Sequence, residues 1–174
     1  MTRDATVVDE AVSAAWETCR LLDNQTSTEQ RHQAQQRLQA AMDMYGCDEV
    51  ARGTVFLVGA LAAYLTQEAG QPGSLDPLSD LIPGVIRRLS RFEMADPAQA
   101  PMAAAVLTAA VLGQDTVAWR DQFGPLPRAE VLTHSFVLWL LADLLDVCAE
   151  RPGTANEIMQ ATFESLANAP GTGG

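Results

Sequence analysis

The chain contains no lysine: all 11 of its basic residues are arginine. That absence excludes Schiff-base chemistry and a Walker-type phosphate lysine. Cysteine is scarce, with only Cys19, Cys47 and Cys148, odd in number and far apart. Disulfide scaffolds and zinc ribbons use close, even sets, so these three read as reduced thiols of a cytoplasmic protein. Positive charge is in deficit, 11 basic against 22 acidic residues, for a net charge of −11. A surface this acidic repels phosphate backbones and argues against nucleic acid as a partner.

Long hydrophobic runs are missing as well. The longest uncharged apolar stretch, Val55 to Leu65, falls short of the ~20 residues that cross a bilayer. Phe136 to Ala149 is broken by Asp143 and Asp146. The N-terminal residues carry no apolar run of signal-peptide length, so neither a leader nor a membrane span is expected. Catalytic signatures are lacking too: there is no Gly-x-Ser-x-Gly, glycine-rich phosphate loop, Cys-x-x-Cys or His-x-x-x-His. These gaps weigh against an enzyme, and no cofactor or metal is expected.

What the chain has is helix punctuation. Its 174 residues are 48% hydrophobic and 19% charged, which suits one domain able to bury roughly 70% of its unfolded surface. Abundant alanine, with arginine in place of lysine, points by composition alone to a high-GC bacterial genome. Val8, Val12, Ala15, Cys19 and Leu22 share one face of a helix from about Asp9 to Asp23. Thr26 with Glu29 predicts a capping box for a second helix ending at Gly46, with a narrow stripe of Ala34, Leu38, Ala41, Met42 and Tyr45 and a glutamine-rich outer face. A third helix, Asp48 to Ala69, is apolar all round in its middle, the mark of an encased helix. Asp76-Pro77 and Asp96-Pro97 give two cap-then-proline starts. Pro83 either kinks its helix or splits it, and Pro101 blurs the start of an alanine-rich one reaching Gly113. A short helix follows Asp115, a long one runs from Pro127 to about Glu150, and a last one is announced by a Thr154–Glu157 capping box. The expectation is an all-α fold: a single domain over residues 1–168, a bundle of seven to eight helices around two central apolar helices, with 169–174 as a frayed tail.

Few residues carry candidate chemistry. His134 shares the apolar face of its helix with Val131, Leu138, Leu141 and Leu145, and a buried imidazole there could be a base, a ligand or a switch. The simpler alternative is a core histidine satisfied by a backbone carbonyl. Asp143, Asp146 and Glu150 line one strip of the same helix, as a cation or acid–base site or, more simply, as a solvated edge. The strip continues into Leu132, Phe136 and Trp139, which reads as core or as a partner-docking surface. Arg87, Arg88 and Arg91 form the basic cluster, suited to an acidic partner or to local ion pairs. Cys47 stands just before a helix start, where a thiolate could be stabilised.

The functional expectation is a non-enzymatic helical binding or regulatory protein acting through protein contacts, self-association as a homodimer among them. Its partner-binding candidates are Arg87, Arg88, Arg91, Phe136 and Trp139. The alternative is a small-molecule binder with an apolar pocket near His134, lined by Leu138, Leu141 and Tyr64.

Overall fold

The computed structural model describes residues 9–20, 27–67, 75–92 and 95–168. Among the described residues there are eight α-helices and no strand, an all-α domain as the helix punctuation predicts. The helices are α1 (Asp9–Arg20), α2 (Thr28–Tyr45), α3 (Cys47–Gln67), α4 (Ile82–Leu89), α5 (Ala100–Val111), α6 (Thr116–Asp121), α7 (Arg128–Cys148) and α8 (Thr154–Asn168). The expected cap at Thr26, the stops at Gly70 and Pro72, and the tail 169–174 lie outside the described residues.

The two apolar helices occupy the centre. α3 packs along α7, α1 and α5 lie on α3, α4 and α8 lie on α7, and α2 bridges α1 and α3. By length and hydropathy both central helices could cross a membrane, with mean hydropathy 1.2 over Cys47–Thr66 and 1.7 over Arg128–Cys148. They are longer than the uncharged stretches inside them because helix geometry continues through their charged ends. In the fold, 61% of each stretch is buried against other helices.

Two glycines on α3 let its neighbours come close. A Cβ at Gly53 would stand 3.1 Å from the Val12 backbone of α1, and one at Gly59 only 2.5 Å from the Thr116 hydroxyl oxygen at the start of α6. That hydroxyl in turn donates to Val55 O of α3 at 3.2 Å. The third joint is Gly46, the single residue between α2 and α3. Its φ of 89° is costly for any side chain-bearing residue, and its N–H donates to Met42 O while its own carbonyl accepts from Val50 N.

Of the two alternatives at Pro83, the segment takes the divided one, a short turn followed by a helix. The Asp76 carboxylate caps the segment by accepting from Leu78 N and Ser79 N at 3.0 and 2.7 Å. A π-helical turn, Pro77–Leu81, then runs directly into α4, with Leu81 N and Ile82 N reaching back five residues to Asp76 O and Pro77 O. The wider turn accommodates a ring that would clash with the carbonyl one α-turn before it. Pro101 stands in the first turn of α5, directly after a 3₁₀ turn, Pro97–Gln99, capped by Asp96, where its missing N–H costs no helical hydrogen bond.

The Thr154–Glu157 capping box does not form. Thr154 donates to Arg151 O, Glu157 pairs with Arg151, and the first amides of α8 are satisfied from another helix. Asp146 of α7 accepts from Gly153 N and Ala155 N, each at 2.8 Å. Asp143, Asp146 and Glu150 thus form a partly solvated edge in which two members also have partners: Asp143 pairs with Arg88, Asp146 caps α8, and Glu150 is exposed past the end of α7 at φ 51°.

Substituting two helical glycines separates local propensity from packing. Gly84 of α4 has open space around it, so Gly84→Ala should stabilise by about 0.5–1 kcal/mol. Gly53→Ala gains the same propensity but drives a methyl into the α1 backbone, and should destabilise by about 1–3 kcal/mol. Urea denaturation of both variants checks the opposite signs.

Candidate functional site

The polar groups inside the bundle gather where α6 turns into α7. Gly124 takes a left-handed φ of 84° and the prolines on either side of Leu126 lead the chain into α7. This reversal brings Arg120, in the last turn of α6, against Glu130, in the first turn of α7. The guanidinium Nε and Nη2 donate to the two carboxylate oxygens at 2.5 and 2.7 Å, and Nη1 donates to Gly124 O at 2.9 Å. Arg120 is 3% exposed and Glu130 2%. The hydrogen bond it donates to Glu130, ahead of the opposing effect of burial, holds Arg120 further toward its charged form. Planar bidentate geometry and a third acceptor make such a buried pair tolerable, and it fastens the α6–α7 turn shut.

One helical turn on, His134 is fully buried, with Nδ1 at 2.9 Å from Glu130 O. A carbonyl only accepts, so Nδ1 carries the proton and Nε2 presents a lone pair. Among the described residues, Nε2 is buried without a partner. Burial pushes the His134 pKa below its ordinary value of 6.5, against the pull of Glu130. Its neighbours Thr133 and Ser135 donate to Ala129 O and Val131 O, both at 2.9 Å. The core-histidine alternative therefore describes one ring nitrogen and not the other. Leu138 and Leu141 are buried beside it on α7, whereas Tyr64 of α3 is 43% exposed.

The partner-binding candidates separate. Phe136 and Trp139 are 4% and 5% exposed, with Phe92 stacked on Phe136 at 4.8 Å and meeting Trp139 edge-on at 5.6 Å. Arg88 donates to Asp143 at 2.5 Å, a half-exposed pair of small energetic weight. Arg87 and Arg91 are exposed. Cys47 is no activated thiol: burial first, then Asp48, pushes its pKa up, outweighing Arg128.

Two clefts open on the surface that sequence reasoning did not find. One, of about 450 Å³, lies between α2 and α7, lined by Gln35, Leu38, Met42, Arg128, Ala129 and Leu132. Its walls follow from helical spacing. Gln35, Leu38 and Met42 fall on one face of α2, and Arg128 and Leu132 on one face of the first turns of α7. Arg128 makes no ion pair among the described residues, in contrast to Arg52, Arg88, Arg120 and Arg151. The second, of about 260 Å³, lies between α1, α7 and the start of α8. The half-apolar Leu132–Phe136–Trp139 strip hinted at both, since Leu132 opens onto the first and Trp139 onto the second. Comparison with known proteins gives no match: no protein family, no curated protein and no solved structure is similar to the chain.

Removing Glu130 should be far costlier than removing the pair. Glu130→Leu leaves a buried guanidinium unpaired and should cost about 3–5 kcal/mol, whereas the Arg120→Met/Glu130→Leu double variant should recover most of that loss. Denaturant midpoints of the three proteins decide it.

His134 also gives stability a pH dependence. Its folded pKa lies below the unfolded value of 6.5, so the unfolded chain binds the extra proton first. Its contribution is complete above pH 6.5 and is lost as pH falls from there through the lower folded value, by at most about 1.4 kcal/mol per pH unit. His134→Asn, which retains a donor for Glu130 O, should flatten that slope between pH 7 and 5 in urea titrations.

Proposed function

We propose that this chain is a non-enzymatic helical binding protein that acts through protein contacts, with the α2–α7 groove as its docking surface. The occupant is an amphipathic helix of a partner protein, bearing an acidic residue beside its apolar stripe. The observation that carries this reading is the groove's composition. Leu38, Met42, Ala129 and Leu132 form an apolar floor with Arg128, a cation without an ion pair among the described residues, at its edge. Apolar grooves of this kind accept side chains at i, i+3/i+4 and i+7. An arginine beside one favours a carboxylate, which it holds in a bidentate fork. In a chain of net charge −11, that local positive site contrasts with the surrounding field and selects orientation as well as partner.

The interior chemistry supports binding over catalysis. Arg120, Glu130 and His134 are buried and committed to one another, with Thr133 and Ser135 committed to backbone carbonyls. None of them lines either of the two clefts.

Stapled amphipathic peptides with one flanking position changed from Glu to Lys test the proposal by fluorescence anisotropy. The Glu peptide should bind about tenfold more tightly, a difference of about 1.4 kcal/mol. Arg128→Glu should invert that preference, and Leu132→Asp should abolish binding of both. Failure of both peptides to saturate, or equal binding to wild type and Leu132→Asp, overturns the proposal. A dimer in sedimentation velocity that Leu132→Asp dissolves would make a second copy of the chain the occupant, replacing the partner proposed.

A further inference from the structure

The start of α7 is weakly fastened at its own end. Pro127 stands at the N-cap and supplies no side-chain bond to the first amides of the helix. Of residues 122–129 leading into it, only Leu126 is buried. The hold of α3 on this stretch is one long bond, Cys47 Sγ donating to Leu126 O at 3.9 Å. Segments with so few buried contacts open locally at less cost than global unfolding. What closes this one is the Arg120 guanidinium, which grips Glu130 on α7 and Gly124 O in the reversal at the same time.

His134 is set against that grip. Its Nδ1, bonded to Glu130 O, also stands 3.8 Å from Glu130 Oε1, the oxygen that accepts from Arg120 Nε. Among the described residues, the charged groups acting on the ring are Glu130 of its own helix and Arg120 of α6. The other helices packed on α7, namely α1, α3, α4, α5 and α8, bring none to bear. One carboxylate therefore lies between a permanent cation and a ring able to become a second. A proton on Nε2 turns a buried lone pair into a buried N–H that has no acceptor. It also sets a positive ring beside a carboxylate whose two oxygens are already taken. Lifting the reversal relieves both costs, because water then reaches Nε2 and the two cations. Burial resists that proton in the closed form, so proton uptake and opening are coupled.

We propose that Arg120, Glu130 and His134 form an acid-sensitive latch: a proton taken from water by His134 Nε2 releases residues 122–131 from α6 while the rest of the bundle stays folded. Arg128 and Ala129 lie on the released stretch, so the α7 wall of the groove changes with it. The latch itself stands whether or not that groove has an occupant.

Native-state hydrogen exchange of the full chain, followed by NMR at pH 7.5 and 5.5 in a series of low urea concentrations, tests the latch. Rates are corrected for the intrinsic pH dependence of exchange. The amides of Phe123, Glu130 and Val131 donate within the reversal, to Arg120 O and Pro127 O. They should exchange through an opening that urea hardly accelerates, because it exposes little surface. The Leu57 and Leu61 amides of α3 should instead show the full urea slope of global unfolding. Lowering the pH from 7.5 to 5.5 should cut the protection of the three reversal amides about tenfold, the factor for one ring that titrates at its ordinary 6.5 once open. His134→Asn should keep the shallow urea slope and lose the pH effect. Reversal amides that exchange only with the global urea slope at both pH values overturn the proposal, as does protection that is equal at the two. A pH effect that survives His134→Asn also overturns it. The first two outcomes need only the wild-type chain, so the latch is decided even where the variant does not fold.

Discussion

The burial of α3 against α7 is the constraint on which every other element depends. Two helices whose middles have no polar face cannot both meet water, so each must be enclosed, and the remaining helices exist in positions that enclose them. This accounts for the order of layers. α1 and α5 cover α3, and α4 and α8 cover α7. The glycines at 53 and 59 are the local condition for it, since they let α1 and the start of α6 approach α3 to backbone contact distance. Small residues at these crossings, and not large interlocking ones, bring the covering helices close to the centre.

Against this apolar centre the buried ionisable residues among the described ones gather at one chain reversal. Arg120, Glu130 and His134 lie where α6 reverses into α7, and their bonds are directed at the turn itself: the guanidinium holds Gly124 O as well as the carboxylate. A buried ion pair contributes little net stability compared with well-packed hydrophobic residues, but it tolerates few alternative geometries. Its work here is to fix one chain reversal. That distinguishes it from the two surface clefts, which none of these three residues lines.

Much of the fold was legible in the sequence because helix starts and stops are local. Asp76-Pro77, Asp96-Pro97, Asp115 and Gly46 each mark an end that depends on the residue and its near neighbours. Where the sequence misled, a distant group had intervened. Thr154 and Glu157 have the spacing of a capping box, but Asp146 from another helix supplies the acceptors. The carboxylate strip on α7 is partly solvated as its spacing suggested, but its pairing was hidden because Arg88, 55 residues away from Asp143 along the chain, could not be placed beside it. Pro83 was undecidable because a π-helical turn has no pattern of its own in the residues that form it. His134 was found by its helical face, and its bond to Glu130 O is the local kind that periodicity can anticipate. The partnerless Nε2 and both clefts were out of reach, since each is defined by side chains from two or three helices at once.

The connection between α2 and α3 bears on how the groove is shaped. With Gly46 as the only residue between them, the direction in which α2 leaves α3 is set by the dihedral angles of one residue, before α2 packs on α1 and α3. Leu38 lies about 12 Å along α2 from Gly46 at 1.5 Å per residue, so a difference of about 10° in that direction displaces it by about 2 Å, roughly the van der Waals radius of a methyl group. The width of the cleft facing α7 therefore depends on one residue's dihedral angles together with the packing of α2 on α1 and α3, and a sequence change at Gly46 would reshape it without touching any side chain that lines it.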